Sequence, residues 1–496
     1  MALTGLLGLT AYTGKNGDCE HAPVYVPFPQ KGSISNSQNL DGPAFIGSSA
    51  KNIFLRSQFP IYPKASLMHG DGGNTGNTDY PGPLGVNTTL TSGENTINIM
   101  MWGADGSLTA GYANASAGLP PPRGVVAVDP ATYEINAAWY PPDNETLGLA
   151  YMEYMQDTNN ILLSTKEGNV YVVHRGNCKG HPFFRITRNI NLKSAIKPWE
   201  LLLNTMYDAV DNIWFTTGGI IGGGDPPQNS STFGYIKPDG TVIKRRVKNQ
   251  MVENGIAVSG RDVYMATGPS GEADTSTSTG YMWAMDTTGS TDLNVKWKVP
   301  YDSGAGGKPG EIARGTGATP VLLDDKFVVI TDNADPKVNL LVYHQKTQDS
   351  AEEQLVCSVP LFEAGKSNND NAALAHFDGE NFGVMIQNNY GAPPVRLSSP
   401  GVPFVLNGPW NNMSGMAGGM VRVDVTPKGE CSDTERASKG EHVWYLAAVD
   451  WLTGKTTYQF RAGMGGTFND NWSEGTLGPD GTFYQSVLAG VIGVKD

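Results

Sequence analysis

The sequence predicts an all-β fold, a single β-propeller of seven blades, with six or eight as the alternatives. Three observations carry this reading. A polar, glycine-rich lead into three short strands recurs along the chain at irregular spacings of roughly 45–70 residues. The 62 Gly and 32 Pro supply the turns such a fold needs, and only 17% of residues are charged. Long helical periodicity is nearly absent, and the best helix candidate, Ser194–Asn204, could equally be a loop turn. A chain of 496 residues could hold several domains. Blades, however, need neighbours on both faces, so 1–496 reads as one domain.

Taken in order, residues 1–95 do not repeat. They carry Pro-rich extended pieces and the densest turn-former run in the protein, Met68–Pro83. This region reads as an arm that wraps the propeller and donates a closing strand to the last blade, because the C-terminal phrase Glu474–Asp496 lacks an outer partner. Between the ends, blades fall near 97–141, 151–188, 204–247, 252–299, 314–360, 372–462 and 469–496. The sixth segment is overlong and could conceal two blades. Several third strands read alike: Gly124–Asp129, Tyr281–Asp286 and Trp444–Asp450, each followed by a Thr/Gly turn and an aromatic-bearing strand (Trp139, Trp297, Tyr458). Asp starts the turn, alternate residues pack between blades, and the aromatic fills the wide outer wedge. This phrase resembles the repeat of the quinoprotein alcohol dehydrogenase-like propellers.

The net charge of −13 argues against nucleic acid, which needs clustered Lys and Arg. The one basic cluster, Lys244-Arg245-Arg246, reads as a solvated outer strand. No apolar run approaches the roughly 18 residues of a membrane span, so no membrane partner is expected. The apolar start, Leu3–Thr10, fits either the stub of a removed signal peptide or a first strand. Sequons at Asn87, Asn114, Asn144, Asn229, Asn412 and Asn471 sit in polar, turn-like stretches and favour a secretory route, hence a secreted glycoprotein. Four widely spaced cysteines agree with two disulfides: Cys19–Cys178 would pin the arm, and Cys357–Cys431 would join adjacent blades. Four buried free thiols are the alternative.

Chemistry in a propeller belongs at the channel mouth, where residues leading into the innermost strands converge. That position gives Tyr151 and Glu153, Tyr207 and Asp208, Glu253 and Asn254, Glu311 and Arg314, Asn371 and His376, and Asp470, Asn471 and Trp472. Carboxylates, amides, one Arg and aromatics suit a polar, ring-bearing organic ligand; the plain alternative is a hydrated channel. For Asn471 the lining and sequon readings conflict. His69, beside Asp71, is a second candidate acid or base. Asp71, Asn74, Asn77 and Asp79 faintly resemble a calcium loop, but the spacing misses the EF-hand pattern, so no metal is assigned.

Taken together, the propeller phrase, the secretory signs, the arm with His69–Pro83 and the tail Asn469–Asp496 resemble one small family. It is the fungal β-propeller hetero-Diels–Alderases of tropolonic sesquiterpene biosynthesis. The resemblance covers roughly residues 97–496. It implies dehydration of a hydroxymethyl tropolone to a quinone methide, which adds across an alkene of a humulene-type terpene. It implies no metal or redox cofactor, and small-molecule partners only; a homodimer is compatible with it. No catalytic residue transfers by motif, so roles follow from position. Arg314, Glu253, His376 or His69 would supply acid and base; Tyr151, Tyr207 and Trp472 would wall the site, with Glu153, Asn254 and Asn371 binding substrate. Three rivals share the scaffold: a quinoprotein dehydrogenase, a metal-dependent lactonase or hydrolase, and a non-catalytic binding propeller. Against the first, no two cysteines are adjacent and no CxxCH is present.

Overall fold

The computed structural model describes residues 19–23 and 61–496, the latter apart from 79, 81, 86–87, 96, 114–121, 143, 149–150, 220–227, 290, 312–313, 393–414, 437–442, 452–455, 465–474 and 488–489. The protein is a β-propeller built of antiparallel sheets in which consecutive strands lie side by side, with strands from the arm added to two of them. Blade 1 is Ile97–Trp102, Leu108–Ala113, Arg123–Val128 and Ile135–Trp139. Blade 2 is Glu153–Met155, Asn160–Ser164, Asn169–Cys178 and His181–Asn191, and blade 3 is Leu202–Tyr207, Ile213–Thr217, Ser230–Ile236 and Val242–Lys248. Blade 4 has an inner edge in two pieces, Gln250–Met251 and Ala257–Ser259, followed by Asp262–Pro269, Gly280–Asp286 and Asn294–Tyr301. Blade 5 is Val321–Leu323, Phe327–Thr331, Asn339–His344 and Leu355–Pro360; blade 6 is Leu374–Phe377, Phe382–Gln387, Met420–Val425 and Cys431–Arg436.

The 372–462 segment therefore holds two sheets, since Val443–Val449 and Thr456–Met464 form a separate pair, blade 7. Eight sheets are described rather than seven, the higher of the alternatives. Long connections between the strands of this segment had hidden the boundary. Blade 8 is Gly475–Leu477, Phe483–Val487 and Gly490–Lys495, with Thr89–Gly93 added outside, Thr89 opposite Lys495 and Gly93 opposite Val491. The two ends of the chain thus share one sheet, which removes an exposed edge.

Alternation along the strands builds the cores. Val125 and Ala127 of blade 1 pack on Leu163 and Val173 of blade 2, and Leu162 and Val172 on Phe215 and Ile236 of blade 3. Trp214 and Phe233 then meet Met265 and Trp283 of blade 4, and Ala284 and Val299 meet Val328 and Tyr343 of blade 5. Val329 and Val342 pack on Val384 and Val423 of blade 6, while Tyr484 and Val491 of blade 8 pack on Ala110 and Val126 of blade 1. Each Val, Leu, Ile, Phe or Met among them contributes about 1.5–3 kcal/mol when fully buried. The repeated phrase behaves as its chemistry requires. Asp129 Oδ1 accepts from the Ala131 and Thr132 amides at 2.8 and 3.0 Å, and Trp139 meets Tyr171, and Trp297 meets Tyr343, across blade boundaries.

Two elements differ from expectation. Residues 194–200 form turns broken by Pro198, and Leu202–Tyr207 is a strand. The one α-helix among the described residues is Ala351–Gln354, capped by Ser350, whose hydroxyl accepts from the Glu353 amide at 3.1 Å. Both disulfides form as expected, Cys19–Cys178 and Cys357–Cys431. The Lys244–Arg246 cluster lies on the outermost strand of blade 3, engaged with Ala195, Asp292 and Glu200. Asn144 and Asn229 are exposed; Asn87, Asn114, Asn412 and Asn471 lie outside the described residues.

Candidate functional site

The arm does not simply wrap the ring. Ala65–Ser66 pairs with Glu153–Met155 as an extra innermost strand of blade 2. Beyond it, the Gly72 carbonyl accepts from Val258, Gly73 from Leu322 and Thr75 from Ala375. Asn74 Nδ2 donates to the Ile256 and Pro320 carbonyls at 2.8 and 3.0 Å. The segment therefore lies across the inner strands of blades 2, 4, 5 and 6, near the hairpins that end those strands. Asp71 shapes its turn, accepting from Gly73, Thr75 and the Thr75 hydroxyl, while burial raises its pKa.

At the opposite, leading end of the inner strands a group of carboxyls converges. Glu253 follows the Gln250–Met251 piece of blade 4 and is 4% exposed. Its Oε2 accepts from the Gly317 amide at 3.3 Å, and Oε1 has no partner among the described residues. Two glycines make room for it. A Cβ at Gly268 would overlap Oε1, and one at Gly315, where φ is +126°, would lie 2.6 Å from Oε2. Burial pushes the Glu253 pKa well up; the Gly317 amide and Arg314 oppose this, and Glu311 and Asp370 add to it. Glu311 accepts from Asn333 Nδ2 at 2.6 Å and from the Lys308 amide. Burial, then Asp370, pushes it up to about 8. Asp370 is buried against Gly317, whose positive φ brings the backbone onto its carboxyl.

A layer of amides lies beneath. Asn254 Nδ2 donates to the Asp370 carbonyl at 3.0 Å and to that of Gly317. Its Oδ1 accepts from Gly255 N and Thr319 Oγ1 at 2.9 and 3.0 Å, and its carbonyl accepts from Asn204 Nδ2 at 2.9 Å. One side chain and its backbone thus tie blades 3 to 6 together. The Tyr151 ring comes within 3.0 Å of where a Gly255 Cβ would sit. Deeper on blade 2, fully buried Glu153 accepts from the Tyr207 amide at 2.7 Å and is pushed by burial up to about 8. Tyr207 is pushed up to about 12, by burial and then by Glu153.

The remaining candidates are placed elsewhere. Arg314 is fully engaged: it pairs with Asp274 and donates to the carbonyls of Thr275 at 2.7 Å and Gly304 at 2.6 Å, so it acts on Glu253 only through its field. His376 Nδ1 lies 2.8 Å from Asn77 Oδ1, and its ring meets Trp451 edge-on. The carbonyl of buried His69 accepts from the Asp71 and Gly76 amides. Both histidines therefore belong to the arm's contacts with the hairpin ends, apart from the carboxyl group. Asp208 locks a hairpin, accepting from Val210 and Asn212. Asn371 neighbours Asp370 and is half-buried. Asp470, Asn471 and Trp472 lie outside the described residues. The sequence reading missed Asp370 and Asn204; nothing in a run such as Asn368-Asn369-Asp370-Asn371 says which residue turns inward.

Neutral carboxyls in a water-poor setting are proton donors near pH 7. The nearest cations are already paired, Arg314 with Asp274 and Lys308 with the Ala334 carbonyl at 2.7 Å. Among the described residues no three His, Cys, Asp or Glu have the spacing of a metal site.

No family model matches the chain, and no curated protein matches it. Solved structures do. The quinohemoprotein alcohol dehydrogenase from Comamonas testosteroni aligns over 89% of this chain and 81% of its own, with a TM-score of 0.51 and 11% identity. A streptogramin B lyase aligns over 82% of this chain and 97% of its own, with a TM-score of 0.38 and 10% identity. For the WD40 domain of SCAP from fission yeast the values are 81%, 95%, 0.44 and 8%. The first of these likenesses supports the propeller fold; at such identities none bears on activity.

Proposed function

We propose that the protein is an enzyme whose proton-donating site is the leading end of the inner strands of blades 4 to 6. Its reaction is the one the family resemblance implies. The Glu253 carboxyl protonates the hydroxyl of a hydroxymethyl tropolone, the C–O bond breaks, and water leaves. The tropolone hydroxyl returns its proton to the carboxylate, which restores the acid and leaves a quinone methide. The heterodiene then forms one C–O and one C–C bond with an alkene of a humulene-type terpene, and no electrons are transferred to any acceptor. Tyr151 offers a wall and Asn371 a polar contact for the tropolone oxygens, while Asn254, its side chain fully engaged, braces the floor of the site.

The observation that carries this reading is Glu253 itself: a buried acid whose pKa burial pushes well up, with one oxygen unpartnered among the described residues and two glycines making room for its carboxyl. Two disulfides and the exposed sequons support secretion. The quinoprotein reading has less support, since its adjacent-cysteine disulfide has no counterpart: the cysteines are joined across 159 and 74 residues. Mixing the protein with a hydroxymethyl tropolone and a humulenol tests the proposal. The expected result is a faster reaction giving one stereoisomer. A rate and isomer ratio equal to the spontaneous reaction would sink it.

A further inference from the structure

We infer that an enclosed column of water runs between Glu253 and Glu153, and that Glu153 exchanges protons with the channel mouth through it. Four side-chain atoms on the inner edges of three successive blades are buried without a hydrogen-bond partner among the described residues: Glu153 Oε1, Asn204 Oδ1, Thr205 Oγ1 and Glu253 Oε1. Their residues are between 0 and 4% exposed. Leaving such an atom unpaired costs about 1–3 kcal/mol, and native proteins meet the need with buried water.

The three edges are in contact around these atoms. Glu153 of blade 2 accepts from Tyr207 of blade 3 through Oε2, which leaves Oε1 as its open position. Asn204, on the same strand of blade 3, donates to the Asn254 carbonyl next to Glu253, which leaves its Oδ1 open. Tyr151, two residues before Glu153, lies against Gly255, two residues after Glu253. At about 3.3 Å per strand residue, a few waters bridge that span. The charged and titratable groups around the two acids are Tyr207, with Arg188 and Asp211 beyond it, at Glu153, and Glu311, Asp370, Arg314 and Tyr301 at Glu253. Glu153 is thus a proton reservoir behind the mouth and acts through the column, without touching substrate. Its service in turnover rests on the reaction proposed above; the column does not.

Infrared spectra of the resting protein, with no substrate present, test this. The difference between native protein and Glu153→Gln isolates the Glu153 carboxyl band at pH 7, and Glu253→Gln isolates that of Glu253. On transfer to D2O both bands are expected to shift within seconds. A Glu153 band that keeps its hydrogen for hours overturns the inference. A high-resolution crystal structure of the native protein decides the matter even if a variant fails to fold. Ordered water on Glu153 Oε1 and Asn204 Oδ1 is expected, and a dry contact between side chains overturns it. Neither result depends on cycloaddition, so a failed reaction assay leaves the column standing.

Discussion

Glu253 and Glu153 are the same residue type, both with pKa raised by burial, yet they make different demands of pH. If Glu253 donates the proton, Glu253→Gln should slow dehydration by about 10²–10⁴-fold, measured as loss of the hydroxymethyl tropolone in single-turnover assays. The native rate should hold at low pH and fall as pH rises through the raised pKa, because only the neutral acid can donate. Glu153 bears on stability. Its pKa rises from 4.5 to about 8 on folding, so between those values the folded state binds the extra proton. Its contribution to stability is therefore fully present below about pH 4.5 and is lost as pH rises towards 8, by at most about 1.4 kcal/mol per pH unit. Glu153→Gln keeps an acceptor for Tyr207 and removes this slope. Melting temperatures of the two proteins should diverge between pH 5 and 8, with the variant gaining at the alkaline end. Gly268→Ala is expected to cost about 1–3 kcal/mol, since the methyl would overlap Glu253 Oε1 and approach Arg314 O at 2.6 Å. Denaturant melts read this directly.

Among the elements, the third strands were the most legible. The apolar run ending in Asp, the turn and the aromatic strand each state their own packing, and Gly280–Asp286 with Asn294–Tyr301 fits that phrase. The inner strands were less legible. They are short, interrupted by glycine, and their hydrogen bonds reach across to other blades, so no two-residue alternation fixes which side chains face the axis. Hence Asn371 stood out in the sequence while its neighbour Asp370 sits against Gly317, and Tyr207 stood out while Asn204 makes the link to Asn254. The arm was conspicuous but its path was not, because its partners are backbone groups hundreds of residues away. The Cys357–Cys431 bridge joins the outer strands of blades 5 and 6 across 74 residues. Replacing both cysteines by Ala should cost up to about 4 kcal/mol on loop-closure grounds, seen as a lower denaturation midpoint, with a steeper slope because the unfolded chain is less compact.

For the whole molecule, the ring was readable and the number of blades was not, since the loops of 372–462 blur the repeat that defines a blade. The residues alone gave no substrate, and the functional expectation came only from the family resemblance, because propellers host many chemistries at the same mouth. The secretory reading makes its own prediction: enzymatic deglycosylation of secreted protein should lower its mass, and Asn144→Gln with Asn229→Gln should remove part of that change.

The closing sheet also sets a clock. Gly93 pairs with Val491, and Asn77 meets His376. At about 5–20 residues per second on the ribosome, the segment that finishes the ring is made roughly 20–80 s before its partner strand exists. Throughout that interval Thr89–Gly93 must be kept from other exposed edges, and the arm must stay loose enough for blades 2, 4, 5 and 6 to assemble around it. The synthesis of Gly490–Lys495 thus determines when Thr89–Gly93 stops searching.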